Sequence, residues 1–213
     1  MYSFSGQPLL RIFDTGKFDS QELYEEAYNR VSSQRRQKVD ALRFPEDKRL
    51  CLAAGYLLEE GLQELGVETP DLRYGPYQKP YLNQAEGLYF SLSHSGTYSV
   101  CAFFDREIGV DIEKIAPLSH KLVRYVCTDE EYQFLMQQNE QAQQEQFFRL
   151  WTAKESYMKY CGKGLSLPPR ELEIDFSQPL SIKEKGNKAK VDFREHPIEG
   201  YKLTVCYAQE NQI

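Results

Sequence analysis

The strongest constraint on the fold of this chain is a group of three β-rich runs separated by very short links. The runs cover residues 88–92, 98–104 and 108–112, and the links are Ser95-Gly96-Thr97 and Asp105-Arg106-Glu107. Parallel neighbours in a sheet need a crossover of about a dozen residues or more. The three runs are therefore predicted to pair as antiparallel hairpins.

The rest of the chain alternates between helical and further β patterns. Residues 72–82 contain Gly75, Pro76 and Pro80, which indicate a loop. Because helical and hairpin patterns occur on both sides of Asp105, the sequence predicts an α+β fold with a seam near that residue. The predicted helices are 20–38, 45–65, 119–126, 129–138 and 144–161, and the further strands are 9–13, 172–176, 180–184, 190–193 and 202–207.

Charge and composition exclude several classes of function. The 213 residues carry 26 Lys and Arg against 32 Asp and Glu, a net charge of −6, so a general nucleic-acid or anionic-membrane binder is not expected. No apolar run approaches the length of a membrane helix, about 18 residues, and the first eleven residues show no secretory signal; we expect a cytosolic protein. The five cysteines form no CxxC and the three histidines no HxxxH pair, so oxygen ligands would hold any metal.

The sequence IGVDIEKI, residues 108–115, places two acids on one face of a strand. With a period of two, the apolar side chains share one face while Asp111 and Glu113 share the other. Magnesium usually takes one or two protein carboxylates together with phosphate oxygens and water, so this pair is a candidate metal site. The alternative is an amphipathic edge strand with two solvated acids, and the octapeptide alone favours it.

The sequence FFRLWTAKESYMKYCGKG, residues 147–164, contains an aromatic block that leads into an acid and a base. On a helix, Trp151, Glu155 and Lys159 lie along one face at four-residue steps. Glu155 is a candidate third metal ligand and Lys159 a candidate phosphate contact. The alternative is a core stripe that ends in an exposed ion pair.

The sequence FSLSHSG, residues 90–96, places a histidine between two serines ahead of a glycine turn. The hydroxyls of Ser93 and Ser95, the imidazole of His94 and nearby backbone N–H groups together suit a phosphate. A histidine that caps a turn is the alternative.

In this order, SLSHSG, GVDIE and LWTAKES with Lys159 and GKGL resemble the motifs of the 4′-phosphopantetheinyl transferases, in particular the longer Sfp-type members. The resemblance implies two similar α/β halves related by a pseudo-twofold, with residues 1–105 on the coenzyme A side and residues 106–213 on the metal and carrier side. It also implies Mg²⁺-dependent transfer of the phosphopantetheine arm of coenzyme A to a serine of an acyl- or peptidyl-carrier protein, with release of adenosine 3′,5′-bisphosphate. Another Mg²⁺-dependent transferase with a nucleotide substrate, or a non-catalytic carrier-binding module, stays open.

The resemblance also implies roles for the motif residues. Asp111, Glu113 and Glu155 match the magnesium ligands, and Lys159 matches the lysine that neutralises the pyrophosphate and is a candidate to protonate the leaving group. His94, with Ser93 beside it, matches a contact to coenzyme phosphate. We assign Trp151 to packing.

The coenzyme's adenosine end is expected at two further places. The loop GPYQKP resembles an adenine-binding loop, so Gly75, Lys79 and Pro80 carry over, although Gln78 stands where a glycine is common in the family. The 3′-phosphate is expected to meet basic residues, for which the candidates are Arg35, Lys38, Arg49 and Lys48. A plain solvated face is the alternative for these four.

The proton of the attacking serine has three candidate acceptors, namely Glu155, Glu131 and a metal-bound water. Glu131, with Glu130 as its rival in register, matches a further acid of the family. It equally fits a capping pattern at the start of a helix, Thr128-Asp129-Glu130-Glu131.

The carrier partner is expected to be acidic, although this chain is acidic as well. We therefore predict a local basic and apolar docking patch at residues 121–125, which include Lys121 and Arg124. The paired halves would let one chain build its own site, so the resemblance predicts a monomer.

Overall fold

The chain folds into helices packed on small antiparallel sheets. The computed structural model describes residues 2, 4–68, 70–83, 85–176 and 179–210. The mixed helix-and-sheet class expected from the sequence is confirmed. The helices are α1 (Gln21–Arg30), α2 (Ser33–Ala41), α3 (Pro45–Glu64), α4 (His120–Val126), α5 (Asp129–Met136) and α6 (Glu140–Tyr160). The strands are β1 (Leu9–Asp14), β2 (Leu72–Tyr74), β3 (Pro80–Leu82), β4 (Tyr89–Ser95), β5 (Tyr98–Phe104), β6 (Ile108–Lys114), β7 (Leu172–Asp175), β8 (Ser181–Glu184), β9 (Asn187–Lys188), β10 (Val191–Ile198) and β11 (Tyr201–Ala208).

Two three-stranded sheets form the centre, with the strand orders β1-β5-β4 and β10-β11-β6. The predicted hairpin of β4 and β5 is confirmed. The predicted hairpin of β5 and β6 is wrong, because β6 pairs with β11, with Val110 opposite Val205. Residues 108–112 of β6 are buried throughout, which suits a strand inside the molecule. The link at residues 105–107 therefore carries the chain from one sheet to the other.

The two sheets meet where their edge strands β4 and β6 run side by side and parallel. Alternate serines of β4 bridge this junction with their side chains. The Ser91 hydroxyl accepts a hydrogen bond of 3.0 Å from the backbone N–H of Val110, and the Ser95 hydroxyl accepts one of 3.1 Å from that of Lys114. Serine side chains thus connect the two strands at this junction, whereas backbone hydrogen bonds connect the strands within each sheet.

The two longest helices cover these sheets. Helix α3 packs on β5 and β1, and α6 packs on β6 and β11. A Cβ atom at Gly109 of β6 would lie 1.9 Å from the backbone oxygen of Ser156 in α6. Only glycine therefore lets the backbone of α6 lie directly on β6, which brings the acids of both elements together. None of the described helices is long and apolar enough to cross a membrane.

Several predicted elements have different bounds in the structure, and three of them have a clear physical reason. The helix predicted over residues 20–38 is two helices, because the Ser32 side chain accepts from the backbone N–H of Arg35 and starts α2 afresh. The helix predicted from residue 144 begins at residue 140, where Asn139 caps it. The loop predicted over residues 72–82 has strands at both ends, which pair as a short hairpin.

Candidate functional site

The candidate site is a cavity of about 360 Å³ at the junction of the two sheets. Residues from α2, α3, β4, β6 and α6 line it, so segments far apart in sequence meet there. Seven of the predicted site residues are among them. The lining consists of Arg35, Ala54, Leu92, Ser93, His94, Asp111, Glu113, Glu155 and Lys159.

Asp111 is the buried acid of this cavity, with an exposed fraction of 2%. Its Oδ1 accepts hydrogen bonds from Lys159 Nζ at 2.7 Å and from Ser93 Oγ at 2.8 Å. Lys159 Nζ also donates to Ser93 Oγ at 2.8 Å. Burial raises the pKa of Asp111, whereas Lys159 and Ser93 oppose that rise. The Oδ2 atom is buried without a hydrogen-bond partner among the described residues, a state that costs about 1–3 kcal/mol.

Glu113 is contacted on both carboxylate oxygens. Ser95 Oγ donates to Oε2 at 2.8 Å, and Trp151 Nε1 donates to Oε1 at 3.3 Å. Burial and then the negative charge of Asp111 raise the pKa of Glu113. Trp151 packs on its neighbours as predicted, but that assignment omits its hydrogen bond to Glu113. The alternating serines of SLSHSG are the sequence signal that side chains of β4 reach β6.

Glu155 is the third acid on the cavity wall. Burial, followed by the charge of Asp111, raises the pKa of Glu155 to about 7, with Glu113 adding to the rise and Lys159 opposing it. The three carboxylates therefore interact electrostatically although residue 155 is far from the other two in sequence.

The chemistry of these residues fits a hard divalent cation. Such a cation prefers carboxylate oxygens, and Asp111 Oδ2 is a buried oxygen that lacks a partner. In the described part of the chain, no three His, Cys, Asp or Glu side chains are close enough to hold a metal by themselves. Instead the Lys159 ammonium lies against Asp111. Any metal bound here would need further oxygen ligands from a substrate or water.

Besides Lys159, the basic residues His94 and Arg35 line the cavity. His94 is exposed on its strand, yet partial burial and then the charges of Lys159 and Arg35 lower the pKa of His94. Arg35 reaches the cavity across Gly55 of α3, where a Cβ atom would lie 2.6 Å from Arg35 Cγ. The side of the cavity that His94 and Arg35 line therefore suits an anion.

Three of the four basic candidates for the 3′-phosphate do not line the cavity, namely Lys38, Lys48 and Arg49. Lys38 Nζ donates to the Tyr74 hydroxyl at 3.0 Å. Arg49 forms an ion pair with Asp19 at 2.6 Å. Of the basic candidates in this region, the structure brings Arg35 to the site.

The loop before β3 lies next to the cavity. A smaller cavity of about 210 Å³ is lined by Gln78 of the loop and shares Leu92 and Lys159 with the main one. Gln78 has φ of +65°, a region that favours glycine. Its backbone N–H donates to the carbonyl of Gly75 at 3.0 Å. The residue that departs from the expected glycine thus adopts the backbone conformation of a glycine turn.

The three predicted loop residues, Gly75, Lys79 and Pro80, all line a larger cavity of about 570 Å³. The Lys79 ammonium donates to the Glu107 carboxylate at 2.8 Å and to the carbonyls of Ile108 and Tyr160 at 3.1 Å each. This side chain ties the loop to β6 and to the end of α6.

Glu131 lies outside the main cavity. Its Oε2 accepts from the buried Lys154 at 2.6 Å and from the backbone N–H of Thr128 at 2.8 Å. Its Oε1 accepts from the backbone N–H of Ile174 at 3.1 Å. The capping box that the sequence offered as an alternative is present at this helix start.

Comparison with known proteins agrees with the motifs. The family profile described as the 4′-phosphopantetheinyl transferase superfamily matches residues 107–206. The chain is 30% identical to 4′-phosphopantetheinyl transferase Sfp of Bacillus subtilis (strain 168), over 89% of this chain and 87% of that protein. It is 34% identical to 4′-phosphopantetheinyl transferase gsp of Aneurinibacillus migulanus, over 68% and 62%, and 32% identical to 4′-phosphopantetheinyl transferase HetI of a Nostoc species, over 71% and 68%. With the three motifs joined at one cavity, this similarity shows that the chain belongs to the 4′-phosphopantetheinyl transferase superfamily.

Proposed function

We propose that this chain transfers the 4′-phosphopantetheine arm of coenzyme A to a serine of an acyl- or peptidyl-carrier protein and releases adenosine 3′,5′-bisphosphate. One observation carries the proposal: Asp111, Glu113, Glu155 and Lys159 line the same cavity in a chain of this family. Such a set suits a pyrophosphate substrate, because phosphoryl transfer depends mainly on positioning and on neutralising charge.

We propose that Asp111, Glu113 and Glu155 hold Mg²⁺. Burial raises the pKa of all three acids, and the charge of Asp111 raises those of Glu113 and Glu155 further, so a divalent cation would relieve an existing electrostatic strain. When bound, Mg²⁺ supplies positive charge that stabilises the oxygens of a transferring phosphoryl group.

Lys159 supplies the mobile positive charge of the site. Its ammonium contacts Asp111 and Ser93, and its side chain is 26% exposed, so it can turn toward a bound pyrophosphate. There it would neutralise the oxygens around the scissile bond and give a proton to the departing bisphosphate.

The anion side of the cavity receives the coenzyme's phosphates in this proposal. Arg35 and His94 line that side. The loop with Gly75 and Gln78 adjoins the same space through the smaller cavity, which supports placing the adenine against this loop.

Among the candidate bases, the contacts favour Glu155 over Glu131. The carboxylate of Glu131 already accepts from the Lys154 ammonium and two backbone N–H groups, so we assign it to the scaffold. Glu155 lines the cavity, where its carboxylate could accept the proton of the attacking serine.

The carrier protein is proposed to dock on α4. Leu122 is 36% exposed and Tyr125 50% exposed, with Lys121 and Arg124 exposed beside them. Val123 of the predicted patch is buried, so it supports the helix rather than the docking surface. An exposed apolar surface with a basic border suits an acidic partner with apolar anchors.

We also propose that residues 1–105 and 106–213 are two similar halves related by a pseudo-twofold. The three-stranded central sheet of each half has the same strand order, β1-β5-β4 in one and β6-β11-β10 in the other. In both sheets the strand that comes last in sequence lies in the middle. A long helix packs on each sheet. The two sheets also contact each other at a second place, where Arg194 of β10 donates to Gln7 just before β1. This contact corresponds to the one between β4 and β6. Since one chain lines the whole cavity, a monomer suffices.

Intact-mass measurement tests the proposed activity. An apo carrier protein is incubated with coenzyme A, Mg²⁺ and this chain, and it should gain the mass of one phosphopantetheine. Asp111→Ala should abolish the gain because it removes a ligand and its charge, whereas Asp105→Ala, outside the cavity, should not. A carrier that is bound without any mass gain would identify a carrier-binding module, and no gain on acyl- and peptidyl-carriers alike would refute the transferase proposal.

A further inference from the structure

The carboxylate of Glu113 is held from two sides by different elements of the fold. Ser95 of β4 donates to Oε2 at 2.8 Å, and Trp151 of α6 donates to Oε1 at 3.3 Å. Because each donor addresses a different oxygen, the two together restrict rotation of the carboxylate plane. With a single donor, the carboxylate could still turn about that one hydrogen bond.

Neither donor can easily change its role. The Ser95 hydroxyl accepts from the backbone N–H of Lys114 at 3.1 Å, which leaves its own hydrogen for Glu113. The indole N–H of Trp151 is a donor only, so it stabilises the carboxylate in its ionised form. Both contacts therefore oppose the burial and the Asp111 charge that raise the pKa of Glu113.

We propose that Ser95 and Trp151 are positioning residues that hold Glu113 ready to bind the metal. The proposal rests on the function proposed above, in which Glu113 is a metal ligand. A carboxylate offers about four acceptor sites, so Glu113 keeps capacity for a cation after accepting both hydrogen bonds. Partners that orient a ligand in this way typically contribute about 10- to 100-fold to metal affinity.

Binding of Mn²⁺ alone tests the proposal without the transfer reaction. Free Mn²⁺ is measured by electron paramagnetic resonance for the wild type and for Trp151→Phe, Ser95→Ala and Ser95→Thr. Trp151→Phe keeps an aromatic ring but loses the N–H, and Ser95→Ala loses the hydroxyl. Each should weaken Mn²⁺ binding about 10-fold. Ser95→Thr restores the hydroxyl and should stay within about threefold of the wild type.

A second readout uses the fact that Trp151 is the single tryptophan of the chain. Metal binding to Glu113 should change the emission of Trp151, and Glu113→Gln should remove that change. In the transfer assay, the Mg²⁺ concentration for half-maximal rate should rise about 10-fold for Ser95→Ala.

The proposal is overturned if Ser95→Ala binds Mn²⁺ within twofold of the wild type, or if Ser95→Thr is as weak as Ser95→Ala. The serine pair decides the question even if Trp151→Phe fails to fold. Failure of the proposed function is distinct, because it would show as a carrier without mass gain. Weakened Mn²⁺ binding in the variants would then still place the positioning residues at a metal site of another reaction.

Discussion

Replacing Glu155 with glutamine should stabilise the metal-free protein at alkaline pH. Burial and the charge of Asp111 raise the pKa of Glu155 from 4.5 to about 7. A raised pKa in an acid means that the folded state holds the proton more tightly than the unfolded chain. The free energy of unfolding should therefore fall as the pH rises from 4.5 to 7, and the whole cost should be present above pH 7.

The structure sets the size of this effect. One unit of pKa corresponds to about 1.4 kcal/mol, so a rise from 4.5 to about 7 gives an upper bound of about 3.5 kcal/mol. Glu155 is only partly buried, and solvent screening reduces the effect to about 1–2 kcal/mol. For a chain of this length that corresponds to a rise in Tm of about 2–8 °C.

Urea unfolding in EDTA at several values between pH 5 and pH 8 measures this. Glu155→Gln should be more stable than the wild type at pH 8, and the difference should shrink steadily toward pH 5. The exposed Glu86 gives a matched control, since Glu86→Gln should change little at any pH. Addition of Mg²⁺ should stabilise the wild type more than Glu155→Gln. A glutamine variant that is no more stable at pH 8, or equally stabilised at pH 5, would refute the reasoning.

Substitutions at four further positions test other parts of the structure. Gly109→Ala should lower the free energy of unfolding in urea by more than about 3 kcal/mol, because its Cβ would meet the backbone of α6. Gly75→Ala is the control, since a Cβ there would lie 3.6 Å from its nearest neighbour. An equal loss in both variants would contradict the explanation. Lys154→Met should cost about 3–5 kcal/mol because it strands the Glu131 carboxylate, and a loss below 1 kcal/mol would argue against a buried pair. Residue 78 has a positive φ, so Gln78→Asn should raise the free energy of unfolding by about 0.5 kcal/mol and Gln78→Val should lower it by more than about 1 kcal/mol. Equal free energies of unfolding in the two variants would show that the turn relaxes. Lys159→Met should lower kcat of carrier modification by about 100-fold with a smaller rise in the KM of coenzyme A, and an effect on KM alone would remove its role as an acid.

Most helices and strands could be predicted because their signals are local. Pro45 at the start of α3 and the acids after it mark that helix from sequence alone. The break before Ser33 was missed because Ser32 reads equally well as a helix residue and as a cap. Whether Ser32 continues a helix or caps a new one depends on how the next helix packs. The residues next to Ser32 do not determine that packing.

The site was predictable in its residue types but not in its contacts. The motifs identified Asp111, Glu113 and Glu155, and the structure places them on one cavity. The partners that hold them, among them Ser95 and Trp151, depend on β4 lying beside β6. A link of three residues is compatible with a hairpin and with a passage between sheets, so the sequence could not distinguish these two outcomes.

The placement of the cavity follows from the way the two sheets are joined. Two edge strands that paired by backbone hydrogen bonds would lie about 4.8 Å apart and would continue the sheet. In this chain serine hydroxyls intervene between β4 and β6, and Ser93 donates to the side chain of Asp111 rather than to a backbone carbonyl. The acids of β6 are thereby held at the junction instead of facing solvent. The SLSHSG and GVDIE motifs are thus two sides of one junction, and each is needed for the other to form a site.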